Sequence, residues 1–274
     1  MPLVSVNGIN LNYDDSGGAG EPVVLVMGSG ASGRAWHLHQ VPALTDAGHR
    51  VITYDNRGIP PTDVCAEGFT VHDLVRDLAG LIEHLGLGAC RLVGTSMGAY
   101  VVQELALARP ELVRQAVLMA TRGRVDAMRR ALTAAEIELY DSGTTLPARF
   151  DAVVQAMRNL SPRSLSDDAA VSDWLDVLEA TSGSGPGERV HMTLDPVPAR
   201  LDAYRAITVP CHVIAFQDDL VTPPGLGREV AEAIPGASFE EIPGCGHFGY
   251  LEDPDTVNKS VVEFFRQVPD IPAH

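Results

Sequence analysis

A chain of 274 residues with 45% hydrophobic side chains can bury one large domain, or one domain with a sizeable insertion. Its formal charge of -16 argues against nucleic acid or an anionic membrane surface as partner. No apolar run approaches the ~20 residues of a membrane span, and Met1-Pro2-Leu3-Val4-Ser5 lacks the features of a signal peptide, so a cytoplasmic location is expected.

Residues 3–7 and 9–14 alternate apolar and polar around Asn7-Gly8, which predicts a hairpin. The continuous apolar run 22–27 suits a strand buried on both faces of a parallel sheet. A glycine-rich loop, 28–33, leads into a predicted helix over 34–47, and the next strand is 51–54. A helix over 70–85 carries apolar residues at 71, 74, 75, 78, 81, 82 and 85, one clear face. Residues 90–93 are a short buried strand, 99–109 a helix, and 116–120 a further strand. The alternation predicts an α/β fold: a mostly parallel sheet flanked by helices.

After Thr121 the rhythm changes. Helices are predicted over 124–141, 148–160, 167–180 and about 198–206, with a loose Ser-Gly-Ser-Gly-Pro-Gly stretch at 182–187 and no strand. Residues 122–205 therefore read as a helical insertion into a core made of 1–121 and 206–274. Strands at 211–216 and 238–242, with helices at 225–234 and 254–267, complete the chain.

Between the strand at 90–93 and its helix lies Gly94-Thr95-Ser96-Met97-Gly98, the G-x-S-x-G pattern of a nucleophile elbow. The turn strains the serine backbone, and side chains at the two glycine positions would strike neighbouring elements. It lifts the Ser96 hydroxyl clear of the sheet and leaves the Met97 amide at a helix N-terminus, facing developing negative charge. A glycine-rich turn with an incidental serine is the plainer reading, but here the strand and the helix stand where the elbow needs them.

A serine nucleophile needs a base, and the base an orienting acid, in the chain order Ser, acid, His on this kind of sheet. Asp219 follows the strand at 211–216, and His247 follows the strand at 238–242. With the loop at 28–33, Asp55-x-Arg57-Gly58, the elbow, Asp219-x-x-x-Pro223, Gly246-His247 and Leu251-Glu252-x-Pro254, the chain resembles the α/β-hydrolase superfamily over nearly its whole length. The resemblance implies a helical cap after the sixth strand and a Ser96–His247–Asp219 triad. It favours Asp219 over its neighbour Asp218, since the family carboxylate stands four residues before the proline. It also implies an oxyanion hole from the backbone amides of Met97 and Ser29. Two departures stand out: Met27-Gly28 where many relatives have His-Gly, and Pro60-Pro61 where relatives usually have glycine and serine.

Candidate pocket residues are Gly28, Trp36, Met157, Trp174 and Phe248, with core packing the alternative for Trp36. His37-x-His39 has the composition of a metal site, but two residues apart on a helix the rings face apart, and no metal or other cofactor is expected. The four cysteines, at 65, 90, 211 and 245, show no metal-ligand spacing and read as thiols. The function expected is a serine hydrolase acting on an ester, thioester or lactone of a small, mostly apolar substrate. Carbon–carbon bond hydrolysis or peracid formation on the same triad, or a small-molecule receptor with a retained triad, are the alternatives. The sequence assigns no oligomeric state.

Overall fold

The computed structural model describes residues 2–181, 185–194 and 199–268. Its strands are β1 (Leu3–Val6), β2 (Ile9–Asp15), β3 (Pro22–Val26), β4 (Arg50–Tyr54), β5 (Cys90–Thr95), β6 (Val113–Met119), β7 (Cys211–Phe216) and β8 (Ser238–Ile242). They form one eight-stranded sheet in the order β1-β2-β4-β3-β5-β6-β7-β8. The β1–β2 hairpin and the β2–β4 pair are antiparallel; every other pairing is parallel. The expected α/β class and mostly parallel sheet are what the chain adopts.

Alternation along single strands divides the interior in two. Val24 and Val26 of β3 belong to one apolar cluster, while Val23, Leu25 and the following Met27 belong to another. Successive residues of a strand point to opposite faces, so these clusters are the two interfaces between sheet and helices. Strands β5 and β7 are buried at every position, as befits the middle of a sheet covered on both sides.

The flanking helices are α1 (Gln40–Asp46), α2 (Val71–His84) and α3 (Met97–Ala108). The single helix predicted over 34–47 is two pieces, a 3₁₀ segment Gly33–Leu38 and then α1. Helix α2 starts at a capping box in which Thr70 and Asp73 satisfy each other's backbone amides. Between β6 and β7 lie α4 (Ala127–Asp141), α5 (Ala148–Asn159), α6 (Pro162–Leu165), α7 (Asp168–Ala180), α8 (Pro186–Thr193) and α9 (Leu201–Tyr204). The core resumes with α10 (Pro224–Ala233), α11 (Gly249–Glu252) and α12 (Pro254–Arg266).

Two readings of the 122–205 stretch change. The predicted loop at 182–187 includes residues 182–184, which lie outside the described residues, but its end opens α8: Pro186 stands in the first helical turn, where a missing N–H costs nothing. The helix predicted over 198–206 shortens to α9, and residue 198 lies outside the described residues. Where the segment leaves and rejoins the sheet, the Arg200 N–H donates to the Gly123 carbonyl at 2.8 Å. Among the described residues no helix is long and apolar enough to cross a membrane.

Candidate active site

The sharp turn from β5 into α3 has Ser96 at φ 55° and ψ −120°, a conformation that costs a non-glycine residue ~1–3 kcal/mol. The neighbouring glycines explain how it is held. A Cβ on Gly94 would lie 2.5 Å from the Gly98 carbonyl oxygen, and one on Gly98 would lie 2.1 Å from the Val26 carbonyl oxygen of β3. Only hydrogen fits at either position. The Ser96 N–H donates to the Met119 carbonyl at 3.0 Å, which ties the turn to the end of β6.

Asp219 stands on the loop after β7 and is 2% exposed. Its Oδ1 accepts the Val221 and Thr222 amides at 2.7 and 2.8 Å. Its Oδ2 lies 2.7 Å from Thr222 Oγ1 and 2.8 Å from Nδ1 of His247, on the loop after β8. Burial by itself would raise the Asp219 pKa; the charge and hydrogen bond of His247, with the two Thr222 bonds, outweigh it and hold the carboxyl below its ordinary value. Asp218 is only half-buried, and its backbone N–H donates to the Cys245 carbonyl at 2.9 Å. Of the adjacent acids, Asp219 is the one brought to His247.

Two further residues shape this corner, and sequence reasoning gave neither of them a role. Thr222 Oγ1 sits 3.0 Å from the Ala120 carbonyl and so anchors the Asp219 loop to the end of β6. Glu252 accepts the Gly246 amide at 2.6 Å and, through its other oxygen, the Ser161 amide and the hydroxyls of Ser161 and Ser164 at 2.6–2.8 Å. That carboxylate fixes the His247 loop against α6. The sequence places it only within Leu251-Glu252-x-Pro254 and assigns it no partner, since its partners at α6 lie 88 and 91 residues away.

The loop after β3 runs beside Ser96: a Cβ on Gly28 would lie 3.2 Å from the Ser96 Cβ and 3.8 Å from its Oγ. Ser29 Oγ is 3.4 Å from the Met97 sulfur, so the two residues expected to supply oxyanion-binding amides touch. Met97 opens α3, where the first N–H groups have no acceptor within the helix. Asn56 Nδ2 donates to the Met27 carbonyl at 2.8 Å, and Asp55 Oδ1 accepts the Ser32 hydroxyl and the Gly33 amide at 2.6 and 2.8 Å.

Ser96 and His247 line a common cavity of about 620 Å³, and Gly28, Ser29, Met97 and Phe248 line it as expected. Three expected pocket residues do not. Trp36 is fully buried, its ring 4.9 Å from that of Tyr250 in the core. Met157 is 63% exposed on the solvent side of α5. Trp174 stacks on Phe248, the two rings 6.1 Å apart, and so backs a lining residue. Charged side chains join the apolar ones in the lining: Arg122, Arg129, Glu136, Asp151 and Arg158 also face the cavity. Arg158 donates to Glu136, and burial beside the charge of Arg129 pushes the Arg122 guanidinium down to about 10. Outside the site, His37 lies 3.2 Å from Thr53 Oγ1 and 3.5 Å from Asp14, and all four cysteines are free thiols.

Against known proteins, a family described as alpha/beta hydrolase matches residues 23–260. A Mycobacterium tuberculosis protein, provisionally named the non-heme bromoperoxidase BpoC, is 51% identical over 261 residues, covering 95% of this chain and 99% of that one. The solved structure of Rv0554 from Mycobacterium tuberculosis superposes with a TM-score of 0.92 at 50% identity, covering 96% of this chain and 95% of that chain. The crystal structure of an enol-lactonase from Burkholderia xenovorans superposes with a TM-score of 0.83 at 26% identity, covering 97% of this chain and all of the other.

Proposed function

The chain belongs to the alpha/beta hydrolase family, and from that premise we propose that it is a serine hydrolase cleaving an ester, thioester or lactone. The observation that carries the reading is the line from buried Asp219 through His247 Nδ1 to a cavity that also holds the strained Ser96. His247 Nδ1 carries the hydrogen bonded to Asp219, which leaves Nε2 as the base. Ser96 Oγ attacks the substrate carbonyl as its proton passes to Nε2, and Asp219 stabilises the imidazolium. The Ser29 and Met97 amides receive the oxyanion. The leaving alcohol, thiol or enol departs with the proton. Water, deprotonated by His247, then releases the acid from the acyl-enzyme. That chemistry calls for no cofactor. Residues 122–205 act as a cap that shapes the pocket; its charged lining favours a substrate with an apolar acyl portion and a polar end.

A fluorophosphonate probe should add its mass to the peptide containing Ser96, and Ser96→Ala should abolish both labelling and nitrophenyl-ester turnover. Labelling of a different serine would sink the reading. The name of the Mycobacterium tuberculosis relative favours one second reading, in which hydrogen peroxide replaces water and the acyl-enzyme yields a peracid. Peroxide-dependent bromination in acetate buffer, lost in Ser96→Ala, is its signature.

A further inference from the structure

His191, on α8, is 2% exposed and lies far in sequence from every group given a role above, yet both of its ring nitrogens are engaged at the site. Its Nδ1 is 3.1 Å from the Gly30 amide, and its Nε2 is 2.7 Å from the Arg57 carbonyl oxygen. Gly30 N–H can only donate and the Arg57 carbonyl can only accept, so the ring is the neutral tautomer with its hydrogen on Nε2. Burial lowers the His191 pKa and reinforces that form. Phe69 packs edge-on against the ring at 5.5 Å. The helix is seated backbone to backbone on the same turn: a Cβ on Gly187 would lie 2.0 Å from the Gly58 carbonyl oxygen.

The loop between β3 and α1 is therefore held at three places by three consecutive residues. Asp55 holds its far end at Ser32 and Gly33, and Asn56 holds its start at Met27. Arg57 holds its middle through His191, which relays the bond to Gly30. Gly30 has φ +72° and immediately follows Ser29, so the direction of the Gly30 amide is coupled through one residue to that of the Ser29 amide.

We propose that His191 is a positioning residue for the oxyanion-binding loop, so that the segment between β6 and β7 tunes the chemical step as well as the choice of substrate. The proposal rests on the serine-hydrolase reading. With His191 in place, Gly30 has its acceptor and the middle of the loop is held; without that acceptor the loop loses its middle support.

The test uses the full chain with His191→Ala, His191→Asn and His191→Gln, each checked for thermal midpoint. Asparagine places its amide oxygen near the Nδ1 position and can still accept from Gly30. Glutamine reaches the Nε2 position and can keep only the Arg57 contact. For 4-nitrophenyl acetate, His191→Ala and His191→Gln should lower kcat by about 10- to 100-fold, less than deleting an oxyanion donor outright. KM should stay within about threefold, as befits an interaction felt in the transition state. Affinity for a trifluoromethyl ketone, which forms a tetrahedral oxyanion, should fall in step with kcat, while affinity for acetate should not. His191→Asn should recover most of the loss. Glutamine restoring kcat as well as asparagine, or an unchanged kcat in a folded His191→Ala, would overturn the proposal. If the alanine variant fails to fold, the Asn–Gln comparison decides. Ser96→Ala run alongside separates the two claims: activity surviving there removes the hydrolase reading itself, whereas an inactive Ser96→Ala beside fully active His191 variants removes only the role of His191.

Discussion

Replacing Asp219 by asparagine changes one atom in a site where each oxygen of the carboxylate has a set job. Oδ1 accepts two backbone amides, from Val221 and Thr222, and these donors will keep the asparagine carbonyl oxygen there. The new NH₂ group then takes the place of Oδ2, 2.8 Å from His247 Nδ1. Two donors now face each other. The imidazole relieves the clash by moving its hydrogen to Nε2, so that Nδ1 accepts from the amide and Nε2 no longer has a lone pair for the Ser96 hydroxyl. An equivalent tautomer error in a serine protease lowers kcat by ~10⁴, which corresponds to about 5.4 kcal/mol of transition-state stabilisation. The same loss is expected here, with KM little changed. Stopped-flow turnover of a nitrophenyl ester at neutral pH measures it, and circular dichroism checks the fold. Asp218→Asn should stay within about tenfold of the parent. A folded Asp219→Asn retaining a tenth or more of kcat, or a deeper loss in Asp218→Asn, would refute the assignment of the acid.

Gly98→Ala must push the elbow away from β3, because the new Cβ would stand 2.1 Å from the Val26 carbonyl oxygen; the expected cost is about 1–3 kcal/mol of stability, with slowed fluorophosphonate labelling of Ser96. Calorimetry and labelling rates equal to the parent's would remove the steric account of this glycine. Because the folded Asp219 pKa is lowered below its unfolded value of about 3.9, its contribution is fully present above that value and is lost as pH falls through the lower folded pKa. Urea unfolding between neutral pH and pH 2 should therefore show a shallower acid loss in Asp219→Asn than in the parent; matching acid slopes would contradict it.

The parts of the site that sequence made legible are those fixed by backbone sterics and chain order. Gly94 and Gly98 are required because carbonyl oxygens occupy the space a Cβ would need, and such a requirement leaves a local pattern. Asp219 and His247 could be placed because loops at the ends of successive parallel strands must converge. Side-chain direction leaves no such trace. Trp36 follows the 28–33 loop closely but turns into the core onto Tyr250. Met157 has the composition of a pocket residue and faces solvent. Helix α8 hid behind a Ser/Gly-rich run, although Pro186 in its first turn was a usable start signal. His191 then had no element to sit on, and its partners, 161 and 134 residues away, gave no local pattern to read.

The hydrogen bond from Arg200 to Gly123 has a consequence for how this molecule can vary over generations. The stretch between those residues begins and ends at a single point, so adding or deleting residues within it puts no tension on β6 or β7. Loop closure becomes harder by only about 0.6 kcal/mol for each doubling of length. Mutation and recombination can therefore change the length of that stretch between its points of contact with the site while β6 and β7 stay in register. The freedom stops where the stretch touches the site: Ser161 and Ser164 hold Glu252 beside the His247 loop, and His191 meets the Gly30 amide.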